Sequence, residues 1–135
     1  MHRNEASITL NELIYSVIPN LNSAEKLVLA TLENLIEVAT NPMDILKRSD
    51  QREAFGLELH CIRMNLEHLL SRYKSEVEVL VLSEGQHKGP LLAPDPQEAE
   101  AIRSAMHIFE HVCAFQRGER PQPVARREVS ISKQT

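Results

Sequence analysis

Apolar side chains recur along this 135-residue chain at intervals of three and four, the spacing that puts side chains on one face of an α-helix. The longest run is a nearly continuous heptad seam and predicts a dominant central helix over about residues 51–82. Its members are Phe55, Leu59, Ile62, Leu66, Leu69, Tyr73, Val77 and Leu80. Residues 76–82 (EVEVLVL) alternate in a way that also fits a strand, but a lone strand would have no partner in this chain.

Four N-capping signals precede apolar-periodic segments, each an Asn, Asp or Thr followed three positions later by Glu. They are Thr9/Glu12, Asn22/Glu25, Asp50/Glu53 and Asp95/Glu98. The helices predicted in this way span about residues 10–18, 23–40, 51–82 and 97–116. Pro19 should end the first helix and Gly118 the last, and Asn41-Pro42 could start one extra turn in the connector. The chain is therefore predicted to be all-α, a small bundle of four main helices.

The composition is that of an ordinary globular domain with a core of its own. Hydrophobic residues make up 42% of the chain and charged residues 25%. Aromatic residues account for only 4%, with no Trp, so Leu, Ile and Val must fill most of the interior. On the fourth helix the core positions are predicted to be Ile102, Ala105, Met106, Phe109, Val112 and Cys113.

Basic charge is concentrated near the C-terminal end of the chain. From Arg117 onward five Lys and Arg residues stand against two Glu residues, whereas the whole chain carries a net charge of −4. This end contains proline and few apolar residues, which predicts a flexible basic tail over 118–135 after a helical-bundle domain over 1–117. An acidic body argues against an extended nucleic-acid-binding surface.

The distribution of polar residues and cysteines indicates the cellular compartment in which the protein is found. Glu5, Asn11 and Glu12 interrupt the N-terminal apolar residues, so the pattern lacks the apolar core of a signal peptide. No stretch reaches the length of apolar sequence that a membrane span requires. Cys61 and Cys113 are too few for a disulfide framework and favour a reducing environment. We therefore expect a cytoplasmic protein without membrane association.

The stretch HIFEH, from His107 to His111, places two imidazoles and Glu110 in the pattern H-x-x-E-H of the inverted zinc proteases. On the predicted fourth helix both histidines point away from the core. Zinc needs at least one more protein ligand. The inverted proteases supply a distant downstream glutamate, whereas here only 24 residues follow His111 and most of them belong to the predicted tail. The sequence therefore predicts exposed histidines here rather than a metal site.

Signals for catalysis are weak elsewhere. Cys61, Met64 and His68 share one face of the central helix, but an apolar packing stripe explains them more simply than a ligand set. Neither cysteine is predicted to have the cationic or helix-N-terminal neighbour that activates a thiol. No phosphate-binding glycine loop and no G-x-S-x-G nucleophile motif occurs. We expect no enzymatic activity, metal or cofactor.

The most informative feature is a second apolar stripe on the central helix, opposite its main seam, with a lesser second face on the fourth helix. Exposed apolar surfaces of this kind mark partner sites, and twofold homodimers are the commonest solution. The predicted interface residues are Leu57, Cys61, Met64, His68, Ile108 and Phe115, with Arg126 and Arg127 as tail contacts.

The sequence thus predicts a small non-catalytic interaction or regulatory protein that binds itself and an unidentified protein partner. One alternative is a ligand- or metal-binding bundle in which His60 or His68 meets His107 or His111 across two helices. A third is a DNA-binding regulator that uses the basic cluster within residues 41–53 (NPMDILKRSDQRE). Interleaved acidic residues and the apolar helix that follows disfavour this third function.

Overall fold

The computed structural model describes residues 8–118, and within this range the chain is all-α. The predicted tail, including Arg126 and Arg127, lies outside the described residues except for Gly118. The helical segments are α1 (Leu10–Glu12), a π-helical turn (Leu13–Val17), α2 (Ile18–Val38), α3 (Pro42–Arg72), α4 (Lys74–Leu82) and α5 (Pro96–Gln116). None of these helices combines the length and the apolar content that crossing a bilayer would require.

The first two predicted helices are one continuous helix, which we call the N-terminal helix: α1, the π-helical turn and α2 together. The prediction that Pro19 ends a helix is wrong. The Ile18 amide donates to the carbonyl of Leu13, five residues back. This hydrogen bond places one extra residue in the turn, and the helix is wider there than a regular α-helix. In a regular α-helix the Pro19 ring would clash with the carbonyl of Tyr15. The widened turn lets the helix pass through Pro19.

Two of the four capping predictions are confirmed. The Thr9 hydroxyl accepts from the Glu12 amide at 3.2 Å, and the Glu12 carboxylate accepts from the Thr9 amide at 2.9 Å. Asp95 and Glu98 exchange the same pair of bonds at the start of α5. Each box satisfies amides that the first helical turn leaves without partners.

The capping predictions at Asn22/Glu25 and Asp50/Glu53 are wrong. Asn22 and Glu25 lie inside α2, where both accept hydrogen bonds at 2.7 Å from Arg63 of α3. Asp50 lies inside α3, which begins earlier at Pro42. The N-cap of α3 is Asn41, whose side-chain oxygen accepts from the Met43 amide at 2.8 Å.

The central helix is confirmed but has different boundaries from those predicted. α3 starts at Pro42 and ends at Arg72, because Tyr73 leaves the helical region with φ −116° and ψ 30°. Residues 76–82 are helical within α4, so the strand alternative is wrong. The predicted seam faces inward on both helices: Phe55, Leu59, Ile62, Leu66, Leu69 and Leu80 are buried, and Tyr73 and Val77 pack against the core.

The core lies where α2, α3 and α5 each contact the other two. Arg63 of α3 bonds the first half of α2, and the last turn of α3 bonds the first turn of α5 through Arg72 and Glu98. These contacts make α3 antiparallel to both other helices. On α5 the buried face is rotated from the prediction, because Ala101, Ser104 and Ile108 are buried whereas Met106, Phe109 and Cys113 are only partly buried.

The loop from Ser83 to Asp95 crosses the start of the N-terminal helix and supplies it with hydrogen-bond acceptors. The Leu10 amide donates to the Pro90 carbonyl at 2.9 Å, and the Asn11 amide donates to the Lys88 carbonyl at 3.0 Å. The Leu92 amide donates back to the Ile8 carbonyl. Together with the Thr9 capping box, the loop satisfies all four orphan amides of the first turn.

Candidate functional site

The side of α3 opposite the buried seam carries an uncovered apolar surface, which we call the outer stripe: Leu46, Ala54, Leu57, Cys61 and Met64. All five are exposed, and the side chains of Leu57 and Met64 are 65% and 55% accessible. At 100° per residue the outer stripe lies ~140° around the helix from the seam, and its length is about 27 Å. The structure thus places Leu57, Cys61 and Met64 on one open helix face, as predicted.

The outer stripe continues into the end of the hairpin formed by α2 and α3. Between Leu32 of α2 and Gln51 of α3 no residue is buried. α5 covers the middle of this hairpin but does not extend to its end, since α5 stops at Gln116. The hairpin end therefore leaves Val38 and Met43 exposed, and Met43 lies one turn before Leu46 on α3.

The other predicted interface residues do not join this surface. Ile108 is only 5% accessible and belongs to the core, so it cannot be reached by a partner of the folded chain. Phe115 is half-buried near the end of α5. His68 lies at the end of the outer stripe with an exposed side chain, but its Nδ1 contacts Glu98 of α5 at 2.5 Å.

A second feature that could carry chemistry surrounds Glu98, whose carboxylate is completely buried. Its Oε1 accepts from Arg72 Nη2 at 2.5 Å and from the Asp95 amide at 2.9 Å. Its Oε2 accepts from Arg72 Nε at 3.3 Å and contacts His68. Arg72 Nη2 also donates to the carbonyl of Ala93. The cluster ties the end of α3 to the loop and to the start of α5.

The electrostatics of this cluster favour an ionised Glu98. Burial alone would raise the pKa of this carboxyl, but the hydrogen bonds from Arg72, the Asp95 amide and His68 outweigh burial and lower the pKa to about 2. The hydrogen bond to Glu98 in turn raises the pKa of Arg72. The positive charge of Arg72 therefore compensates the negative charge of the buried Glu98 carboxylate.

Among residues 8–118, one group of three side chains has the proximity that a metal ion needs: His68, Asp95 and Glu98. Both oxygens of Glu98 already accept hydrogen bonds from Arg72, so a cation would have to displace a guanidinium. The arrangement matches an internal ion pair better than a metal site. The group includes neither His107 nor His111 and so does not correspond to the predicted pairing across two helices.

Of the two histidines in the HIFEH stretch, His107 is exposed, as predicted. His111 is half-buried, so the prediction that both histidines are exposed is wrong for His111. Their ring centroids are 5.9 Å apart and tilted by 36°.

Neither the outer stripe nor the Glu98 cluster could be delimited fully from the sequence. The apolar spacing on α3 indicates the stripe, but its exposure depends on where α5 ends. The cluster gives almost no sequence signal, because Arg72 and Glu98 are separated by 26 positions.

Comparison with known proteins adds nothing to this geometry: no protein-family model, curated protein or solved structure matches the chain. Function is therefore inferred from the surfaces described above.

Proposed function

We propose that this protein is a small, non-catalytic, cytoplasmic interaction protein that self-associates through the outer stripe of α3. The observation that carries the proposal is the exposure of Leu57 and Met64 on a helix whose opposite side is buried from Gln51 to Leu69. Most exposed apolar residues occur singly on protein surfaces and need no partner. Here they recur on one face of α3 from Ala54 to Met64, about three turns, and Leu46 lies on the same face beyond Asp50. Such a recurrence on one face is typical of a recognition surface.

The spacing within the outer stripe fits a helix as the partner. Ala54, Leu57, Cys61 and Met64 follow intervals of three and four residues, the repeat with which two helices interlock their side chains. A second copy of α3 offers the same spacing, so one surface can serve both subunits across a twofold axis. Cys61 would then lie near the centre of the interface.

The size of the outer stripe suggests a weak dimer. Burying each large apolar side chain contributes about 1.5–3 kcal/mol, but association itself costs at least about 4 kcal/mol. We therefore expect a monomer–dimer equilibrium that responds to protein concentration. The hairpin end, with Val38 and Met43 exposed, would add apolar contact area if the partner helix reaches it.

Sedimentation equilibrium over a broad concentration range tests this proposal. The unmodified chain should show a reversible monomer–dimer equilibrium, and Leu57→Glu should shift it at least tenfold toward monomer. Leu82→Glu is the matched control, because Leu82 is 83% accessible on α4 and lies away from the outer stripe. A chain that stays monomeric at the highest concentration, or equal effects of the two substitutions, would refute self-association through α3.

Cys61 provides a native probe of the same surface. A short bis-maleimide should link two chains through Cys61, and Met64→Glu should reduce the yield of linked dimer. Cys113→Ser should leave the yield unchanged, because Cys113 lies on α5 and is half-buried. Linkage that persists equally in Cys61→Ser would place the contact elsewhere.

A further inference from the structure

A cleft of about 280 Å³ opens between the N-terminal helix and α5, and none of its lining residues belongs to α3. Val17, Ala105, Met106 and Phe109 form much of its apolar lining. The cleft runs beside the π-helical turn, which supplies Ser16 and Val17 to its wall. It is therefore separate from the outer stripe that we propose for self-association.

The rim of this cleft is acidic. Glu12 lies on the side of the N-terminal helix, and Glu110 lies on the side of α5. Both carboxylates are exposed. Apolar walls beneath a negatively charged rim suit an extended peptide that combines aliphatic and basic side chains.

The chain itself contains such a segment, which begins eight residues after the end of α5 at Gln116. Residues 124–131 read VARREVSI and combine two arginines with four aliphatic residues: Val124, Ala125, Val129 and Ile131. Residues 119–135 as a whole carry four basic side chains and two acidic ones.

The distance from the end of α5 back to the cleft fits this segment. Gly118 adopts φ +82°, the left-handed conformation that ends helices and redirects the chain. Glu110 lies eight residues before Gly118, about 12 Å along the helix. An extended chain covers roughly 3.3 Å per residue, so about four residues span this distance directly and about six allow for the turn. A path of that length would be long enough for Val124 to reach the level of Glu110.

We infer that the cleft between the N-terminal helix and α5 is the docking site of the chain's own residues 124–131. Arg126 and Arg127 pair with the acidic rim, and the aliphatic residues on either side cover the apolar walls. Docking in this way leaves the outer stripe of α3 open. The inference does not depend on self-association.

Paramagnetic relaxation in the full-length chain tests the inference. A nitroxide is attached at Ser132→Cys, just past the docking segment, with Cys61→Ser and Cys113→Ser to direct the label. The amide signals of Val17, Met106 and Phe109 should lose more than half of their intensity relative to the reduced label. Amide signals of the outer stripe should keep their intensity.

Charge variants of the labelled chain test the rim contact. Glu110→Lys should restore at least half of the lost intensity, whereas Glu33→Lys, an exposed position on α2, should restore none. Combining Glu110→Lys with Arg126→Glu and Arg127→Glu should bring the broadening back, because the charges are exchanged. Amide spectra of each variant with the label reduced establish that the fold is unchanged.

Three results would overturn the inference. One is the absence of broadening at the cleft, and another is broadening centred on the outer stripe. The third comes from mixing labelled chains at natural isotope abundance with unlabelled ¹⁵N chains. Cleft signals that broaden equally in this mixture would mean that the segment binds a second chain rather than its own.

Discussion

Arg72 and Glu98 form a two-point ion pair, with Nη2 2.5 Å from Oε1 and Nε 3.3 Å from Oε2. The pair joins the last turn of α3 to the first turn of α5. Glu98 is buried, whereas Arg72 remains partly exposed. The two side chains therefore depend on each other unequally: Arg72 can be solvated without its partner, but the Glu98 carboxylate cannot.

The first prediction concerns the loss of Arg72. Arg72→Met should lower the melting temperature by roughly 5–10 °C, because it leaves a buried carboxylate without its cation. The double variant Arg72→Met/Glu98→Gln should lose less than the sum of the two single variants. Arg103→Met is the control, since its ion pair with Glu100 is exposed and contributes little. Additive effects in a double-mutant cycle would show that the pair is not coupled.

The second prediction concerns pH. The pKa of Glu98 is lowered to about 2 in the folded protein from an ordinary value of 4.5, so its ionisation stabilises the fold above about pH 4.5. This contribution is lost as the pH falls from about 4.5 through 2. It should amount to on the order of 2 kcal/mol after allowance for solvent around the pair.

Urea unfolding of the unmodified chain and of Glu98→Gln between pH 7 and pH 2 measures this contribution. The difference in unfolding free energy should be largest near neutral pH and should shrink below pH 4.5. Other carboxyl groups titrate in both proteins and cancel in the difference. A difference that stays constant down to pH 2 would contradict the lowered pKa of Glu98.

The third prediction concerns Asn11, whose side-chain amide donates to the carbonyls of Gly85 and His87, both at 2.8 Å. Asn11→Asp preserves the size of the side chain but removes both donated bonds. It should cost about 1–2 kcal/mol and accelerate hydrogen exchange of the Leu92 amide. Asn34→Asp, at an exposed position on α2, is the matched control. Unchanged exchange at Leu92 would mean that Asn11 does not hold the loop.

The fourth prediction concerns the π-helical turn. Deleting Ser16 should return the turn to α-helical spacing and bring the Pro19 ring against the backbone, at a cost of about 3 kcal/mol. The same deletion combined with Pro19→Ala should recover most of that stability. Deleting Ser23 from the regular part of α2 serves as the control, and Pro19→Ala should not rescue it. Equal stability of the Ser16 deletion with and without Pro19 would show that the turn does not accommodate the proline.

The sequence predicted the elements whose signals are local and repeated. The seam from Phe55 to Leu80 faces the core as expected, because its eight apolar positions at helical spacing all fall on one face of the helix. The capping boxes at Thr9 and Asp95 are confirmed because the residues of each box lie only three positions apart and exchange both hydrogen bonds.

The failures arise where the deciding contact is distant in sequence. Asn22 and Glu25 have the residue types of a capping box, but Arg63, about 40 positions later, uses both as acceptors. Pro19 predicts a helix end because a proline ring clashes with the carbonyl four residues earlier in a regular α-helix. The π-helical turn before Pro19 shifts the hydrogen bonds by one residue and avoids this clash. The rotation of the buried face on α5 accompanies the burial of Glu98, a charged residue that hydrophobic periodicity assigns to the surface.

The loop over the start of the N-terminal helix has a consequence for the order of folding. The amides of Leu10 and Asn11 find their acceptors about 80 residues later in the chain, at Pro90 and Lys88. Closing so long a segment is entropically costly and slows folding relative to helices with only neighbouring contacts. The first turn of the N-terminal helix is therefore synthesised before α3 and α4, but its hydrogen bonds are completed only after the loop that follows them has been made.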